Sequence, residues 1–116
     1  MFMTLLAAAL AAQPGSSDFG YAQLVAGDDG EAITVINRQP ETEDDPARLI
    51  NLGVAYARMG DAARARVMFR AAHTAPERVE LETAAGEWVY SRVLARRGLA
   101  MLVSGELSRV ETLALK

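Results

Sequence analysis

Two Gly-Asp pairs lie 33 residues apart in this chain, Gly27-Asp28 and Gly60-Asp61, and their surroundings repeat in the same order. At that offset Gly20 aligns with Gly53, Ala22 with Ala55 and Ala32 with Ala65; Phe19 aligns with Leu52 and Ile36 with Phe69. A period of this length marks stacked supersecondary units, each burying its apolar face on a neighbour. Alanine is common enough here to align by chance, but two Gly-Asp pairs with a further glycine are not. The echo predicts helix pairs joined by tight glycine turns and therefore a mainly α fold.

Local chemistry places the helices. Residues 18–26 read as a short helix ended by Gly27, since glycine adopts the left-handed conformation that closes a helix. Asp28 starts the next helix, with Glu31 spaced for a capping box, Ala32, Val35 and Ile36 on its apolar face, and Pro40 as its stop. The connector PETEDDP, residues 40–46, holds Glu41, Glu43, Asp44 and Asp45. Hard cations take carboxylate oxygens, but the spacing fits no EF-hand loop, and a solvated linker is the simpler reading. Asp45-Pro46 opens a third helix, an acidic N-cap followed by a proline at the first helical position. Leu49, Leu52, Val54, Ala55 and Tyr56 give it bulk before Gly60 closes it. Asp61 caps the fourth helix, which runs to about Ala75 and buries Ala65, Met68, Phe69 and Ala72. Arg58, Arg64, Arg66 and Arg70 fall mostly on solvent-facing positions.

Leu49, Leu52, Gly53 and Tyr56, then Gly60-Asp61, Ala65, Phe69, Ala72 and Pro76, resemble the tetratricopeptide repeat. Leu49 stands where that pattern has tryptophan, and the proline arrives one residue early. The resemblance is good over 46–76 and weak over 13–45. It implies antiparallel helix pairs in a short solenoid: a degenerate repeat over 13–45, a repeat over 46–78, and a different end segment over 79–116. It also implies a protein–protein interaction scaffold, with a concave groove lined by the first helix of each repeat. Carried onto this sequence, the partner-binding positions are Ala47, Ile50, Asn51, Val54 and Arg58. Asn51 and Arg58 are polar, but Ile50 and Val54 are apolar where a clamp for a terminal carboxylate is polar. The implied groove is therefore mixed and suits an extended or helical segment. Ile50 and Val54 read equally well as core against the first repeat.

The end segment departs from the repeat. Val79, Leu81 and Thr83 alternate with charged residues, Ala85-Gly86 makes a turn, and Glu87-Trp88-Val89-Tyr90 follows. That is strand chemistry, and it predicts a β-hairpin in preference to a third irregular helix pair. Ser91 is a candidate N-cap for a helix over 92–103, with Leu94, Leu99, Met101 and Leu102 on its apolar face. Hairpin and helix together would cap the solenoid, with Trp88 as a packing residue; an exposed aromatic anchor is the other reading.

The first twelve residues, MFMTLLAAALAA, carry no charge and meet a breaker cluster at Gln13-Pro14-Gly15. They read as a signal peptide, although the basic n-region is missing; an apolar helix capping the first repeat is the alternative. The run is too short to span a bilayer. Export would place the chain in a bacterial periplasm or outside the cell, since the alanine excess and near-absence of lysine suggest a GC-rich bacterial genome. Without export it is cytoplasmic.

Composition narrows the chemistry. The chain has 116 residues, one small domain, and no cysteine, hence no disulfide framework and no thiolate site. Its net charge of −3 divides into −5 over 1–60 and +2 over 61–116, without the concentrated basic patch nucleic acid needs. His73 is the only histidine and has no evident ligand partner. No nucleophile elbow or phosphate loop is present. These observations favour a non-catalytic chain without cofactor or metal, binding a protein or peptide, with self-association through exposed repeat ends as the rival function.

Overall fold

The computed structural model describes residues 19–39 and 43–105. Five helices and one two-stranded antiparallel sheet make up these residues, so the mainly α expectation holds. In order they are α1 (Tyr21–Ala26), α2 (Asp29–Asn37), α3 (Pro46–Arg58), α4 (Ala62–Thr74), β1 (Glu80–Glu82), β2 (Trp88–Tyr90) and α5 (Ser91–Ser104). The expected signal peptide over 1–12, residues 13–18 of the expected degenerate repeat, the first three residues of the acidic connector (40–42) and residues 106–116 lie outside the described residues.

The sequence echo is also a geometric one. Gly27 and Gly60 both have φ of 83°, and each ends the first helix of a pair. Around the first turn, Gly27 N donates to Leu24 O and Asp28 N to Gln23 O; around the second, Gly60 N donates to Ala57 O and Asp61 N to Tyr56 O. The same orphan carbonyls are thus satisfied at the same offset. Ala32 and Ala65 are fully buried at matching positions, as are Ile36 and Phe69. Ala22 departs from the echo: it is exposed, while its counterpart Ala55 is buried. α1 has six residues where α3 has thirteen, so the first pair is the reduced one.

The caps divide. Asp45 accepts a hydrogen bond from Ala47 N at 2.9 Å and Asp61 one from Arg64 N at 3.1 Å, as the sequence predicts. Asp28 caps by position alone, and its side chain makes no cap bond, so the expected capping box does not form. Ser91 is not the N-cap of α5: Tyr90 is, and Ser91 is the first helical residue, fully buried. Its backbone N donates to Val79 O, which draws the start of α5 into the hairpin.

The predicted hairpin is present. Glu80 faces Tyr90, Leu81 faces Val89 and Glu82 faces Trp88. Its loop has three residues: Gly86 N donates to Thr83 O, Gly86 takes φ of 83°, and Thr83 N donates to Glu87 O. That is a tight turn followed by a left-handed glycine, the arrangement that suits Ala-Ala-Gly where a two-residue loop would not. The buried Thr83 adds an acceptor, its Oγ1, for Glu87 N. Alternation sends Val89 into the core and Trp88 and Tyr90 outward, 63% and 54% exposed. The packing role expected of Trp88 is therefore corrected; Val89 fills it.

α4 is the centre of the molecule, packed on α3 on one side and α5 on the other. The ring of Phe69 on α4 is fully buried between Gly53 of α3 and Gly98 of α5. A Cβ built on either glycine would come within 2.6 Å or 2.7 Å of Cε1 of that ring, nearer than side chains approach. α5 carries a second echo of α3. Leu49, Gly53 and Gly60 recur 45 residues on as Leu94, Gly98 and Gly105. Leu94 and Gly98 are buried, and Gly105 ends its helix with φ of 77°. The 33-residue offset that leads to Gly86 ends in the hairpin loop, because the hairpin is interposed between α4 and α5.

Candidate functional site

The five positions implied as groove-lining mostly face inward. Ile50, Asn51 and Val54 are fully buried, and Ala47 is half-buried. Asn51 donates from Nδ2 to Phe19 O at 3.0 Å, which fastens the segment before α1 to α3. Arg58, expected toward solvent, reaches Asp29 at the start of α2, with Nε 3.1 Å from Oδ1. The first helix pair covers this face of α3, so these residues hold the two pairs together and offer no open groove. Ile50 and Val54 take the core alternative, belonging to the main apolar cluster with Leu24, Ala55 and Phe69.

The Asp29–Arg58 contact is electrostatically unusual. Asp29 Oδ1 is buried and accepts no hydrogen bond, despite the nearby guanidinium. Burial raises the Asp29 carboxyl above its ordinary 3.8; Arg58 pulls it down, and Asp28 adds to the rise. Charge attraction without a well-aimed N–H does not offset the lost water.

An open groove lies elsewhere, across α3 and α4. Its volume is about 890 Å³. Leu49 and Leu52 form the buried floor, and half-buried Tyr56, Met68 and Ala71 form its walls. Leu49, Leu52 and Tyr56 are spaced so that α3 presents them as one stripe. The exposed carboxylates Glu43, Asp44 and Glu77 stand on the rim. Arg48 also lines the groove although it is only 8% exposed. Its Nη1 donates to Glu43 O at 3.3 Å and its Nη2 to Asn37 Oδ1 at 3.4 Å, while the buried Nε has no acceptor. The sequence displays the apolar stripe but not its openness. Which side of α3 the first pair covers is settled by packing between pairs.

A second concavity, about 560 Å³, lies at the hairpin base between Arg78, Tyr90, Arg92 and Val93. Arg92 Nη2 donates there to Ala75 O at 3.1 Å, tying α5 to the end of α4. Two further ion pairs lie nearer solvent: Arg64 with Asp61 at 3.1 Å, and Arg97 with Glu87 at 3.3 Å. Arg64 also lies 5.9 Å from the Tyr56 ring centre, at the end of the groove.

Among the described residues, no three or more His, Asp or Glu side chains gather to hold a metal. No described helix is long and apolar enough to cross a membrane. Compared with known proteins, the chain matches no family model, no curated protein and no solved structure.

Proposed function

We propose that this chain is a non-catalytic protein–protein interaction module of the tetratricopeptide-repeat type, exported across a bacterial membrane, that holds an amphipathic segment of a partner in the α3–α4 groove. The groove is the observation that carries this reading. An apolar floor flanked by three exposed carboxylates is complementary to a segment with leucine-like side chains on one face and lysines or arginines beside them.

Titration with a helical peptide of leucine and lysine tests the reading. Binding is expected to perturb Met68 and Tyr56, and Ala71→Arg to abolish it by filling the groove and repelling the lysines. A leucine–glutamate peptide is expected not to bind. Equal binding of both peptides, or binding insensitive to Ala71→Arg, would sink the assignment.

The second reading is self-association through the repeat ends. Val25 on α1 and Val103 on α5 favour it, being 64% and 86% exposed on the first and last described helices. Light scattering after size exclusion separates the two: a concentration-independent monomer supports the adaptor, and a dimer disrupted by Val103→Asp supports stacking.

A further inference from the structure

We propose that the partner segment held in the α3–α4 groove changes charge along its length, and that Arg78 and Arg92 at the hairpin base take a carboxylate side chain at one of its ends. The inference rests on the adaptor reading of that groove and adds the residues that set the direction in which the segment lies. Three observations carry it.

The first is that the two concavities share a wall. Ala75, Pro76 and Glu77 line the α3–α4 groove, and the next residue, Arg78, lines the concavity of about 560 Å³ at the hairpin base. Consecutive Cα atoms lie about 3.8 Å apart, so the chain passes from one concavity to the other within a single residue. Arg92 approaches the same wall from α5, donating through Nη2 to the carbonyl of Ala75 at 3.1 Å. A guanidinium of the second concavity therefore touches the backbone that borders the first.

The second is the change of sign across that wall. The exposed carboxylates of Glu43, Asp44 and Glu77 stand on the groove, whereas the hairpin-base concavity is lined by two arginines and no carboxylate. Arg58, Arg64 and Arg97 each lie beside a carboxylate of the chain. Arg78 and Arg92 have no such partner among the described residues: Arg78 is exposed, and Arg92 donates to a neutral carbonyl. Glu80 faces Tyr90 across the hairpin but does not line the concavity. The planar donor fork of a guanidinium matches a carboxylate, and neither fork here is compensated by one from within.

The third is the surface around the two arginines. Tyr90, 54% exposed, and half-buried Val93 complete the lining. They offer apolar contact to the methylene stem of a glutamate whose head meets the guanidinium groups. A segment basic along its whole length meets repulsion at this end of the groove, and one that ends in glutamate meets opposite charge at both places. Turned around, the same segment sets its glutamate against the acidic rim. Only one direction is complementary.

The test uses the full chain and helical leucine–lysine peptides, acetylated and amidated so that their termini carry no charge. Two glutamates are placed at the amino end in one peptide and at the carboxyl end in another, each with a glutamine counterpart. Comparing parent and variant protein on the same peptides cancels differences in peptide helicity. One glutamate peptide, and not the other, is expected to bind about fivefold more tightly than its glutamine counterpart. Arg78→Glu is expected to abolish or reverse that preference with the fold unchanged by circular dichroism, since Arg78 is exposed. Arg66→Glu, an exposed charge reversal on α4 that lines neither concavity, is expected to leave it in place. No gain from glutamate, equal gains at both ends, or a gain lost equally in Arg78→Glu and Arg66→Glu would overturn the inference while the adaptor reading stands. Failure of every peptide to bind would overturn the adaptor reading and this inference with it.

Discussion

Gly98 on α5 lies against the ring of Phe69 on α4 so closely that a methyl group added to the glycine would sit 2.7 Å from Cε1. Gly53 on α3 holds the other side of the ring at the same closeness, and Phe69 is fully buried between them. Both helices approach α4 through the absence of a side chain. Gly98→Ala and Gly53→Ala are each expected to destabilise the fold by roughly 1–3 kcal/mol through overpacking. Combining Gly98→Ala with Phe69→Leu should recover part of the loss, because the smaller side chain makes room. Urea unfolding of the double-mutant cycle checks this; strictly additive effects would contradict the contact.

Asp29 makes stability depend on pH in an unusual direction. Its carboxyl is raised above 3.8 mainly by burial, so the folded chain binds that proton more tightly than the unfolded one. Its contribution favours folding below the unfolded value and is lost as pH rises through the raised folded value. Asp29→Asn should therefore gain on the parent as pH increases from about 3 to about 7, with the two most alike in charge at the acid end. Paired urea unfolding curves at both pH values measure the difference. A gap that is constant, or that closes with rising pH, would contradict the burial argument.

Asn51 joins the first helix pair to the second. Asn51→Ala leaves the Phe19 carbonyl without this donor and should cost about 1–3 kcal/mol. The damage should be local first. Amide exchange in α1 and α2 is expected to quicken more than in α3 and α4, where Phe69 and its neighbours form the tighter core. Uniform acceleration throughout the chain would argue against this tether.

Trp88 is the chain's only tryptophan, and it points outward from β2. Its emission should resemble that of a solvated indole, with acrylamide quenching similar before and after unfolding. Trp88→Ala is expected to change stability by no more than about 0.5 kcal/mol. A blue-shifted emission, or a loss well above that figure, would place the ring in a contact.

The second helix pair was legible residue by residue. Asp45-Pro46 starts α3, Gly60-Asp61 turns it, and α4 ends at Thr74 before Pro76, because caps and left-handed glycines are local signals. Thr83, Gly86 and the alternation around Val89 likewise disclosed the hairpin. The site was less legible. Ile50, Asn51 and Val54 could be placed on one face of a helix, but that face meets Leu24 and the Phe19 carbonyl from the first pair. The apolar stripe of Leu49, Leu52 and Tyr56 looks no different in sequence from a core stripe, yet it borders an open groove.

The amino-acid sequence by itself determined the helix pairs, their turns and the β-hairpin, since each rests on interactions between residues a few positions apart. Tertiary structure alone decided that Gly98 rather than Gly86 packs on Phe69 as Gly53 does, that Trp88 faces outward while Val89 faces in, and which stripe of α3 borders the groove. Those outcomes depend on which apolar faces meet across long stretches of chain. The pattern of one helix says that a face must be covered, but only packing among all the helices says by what.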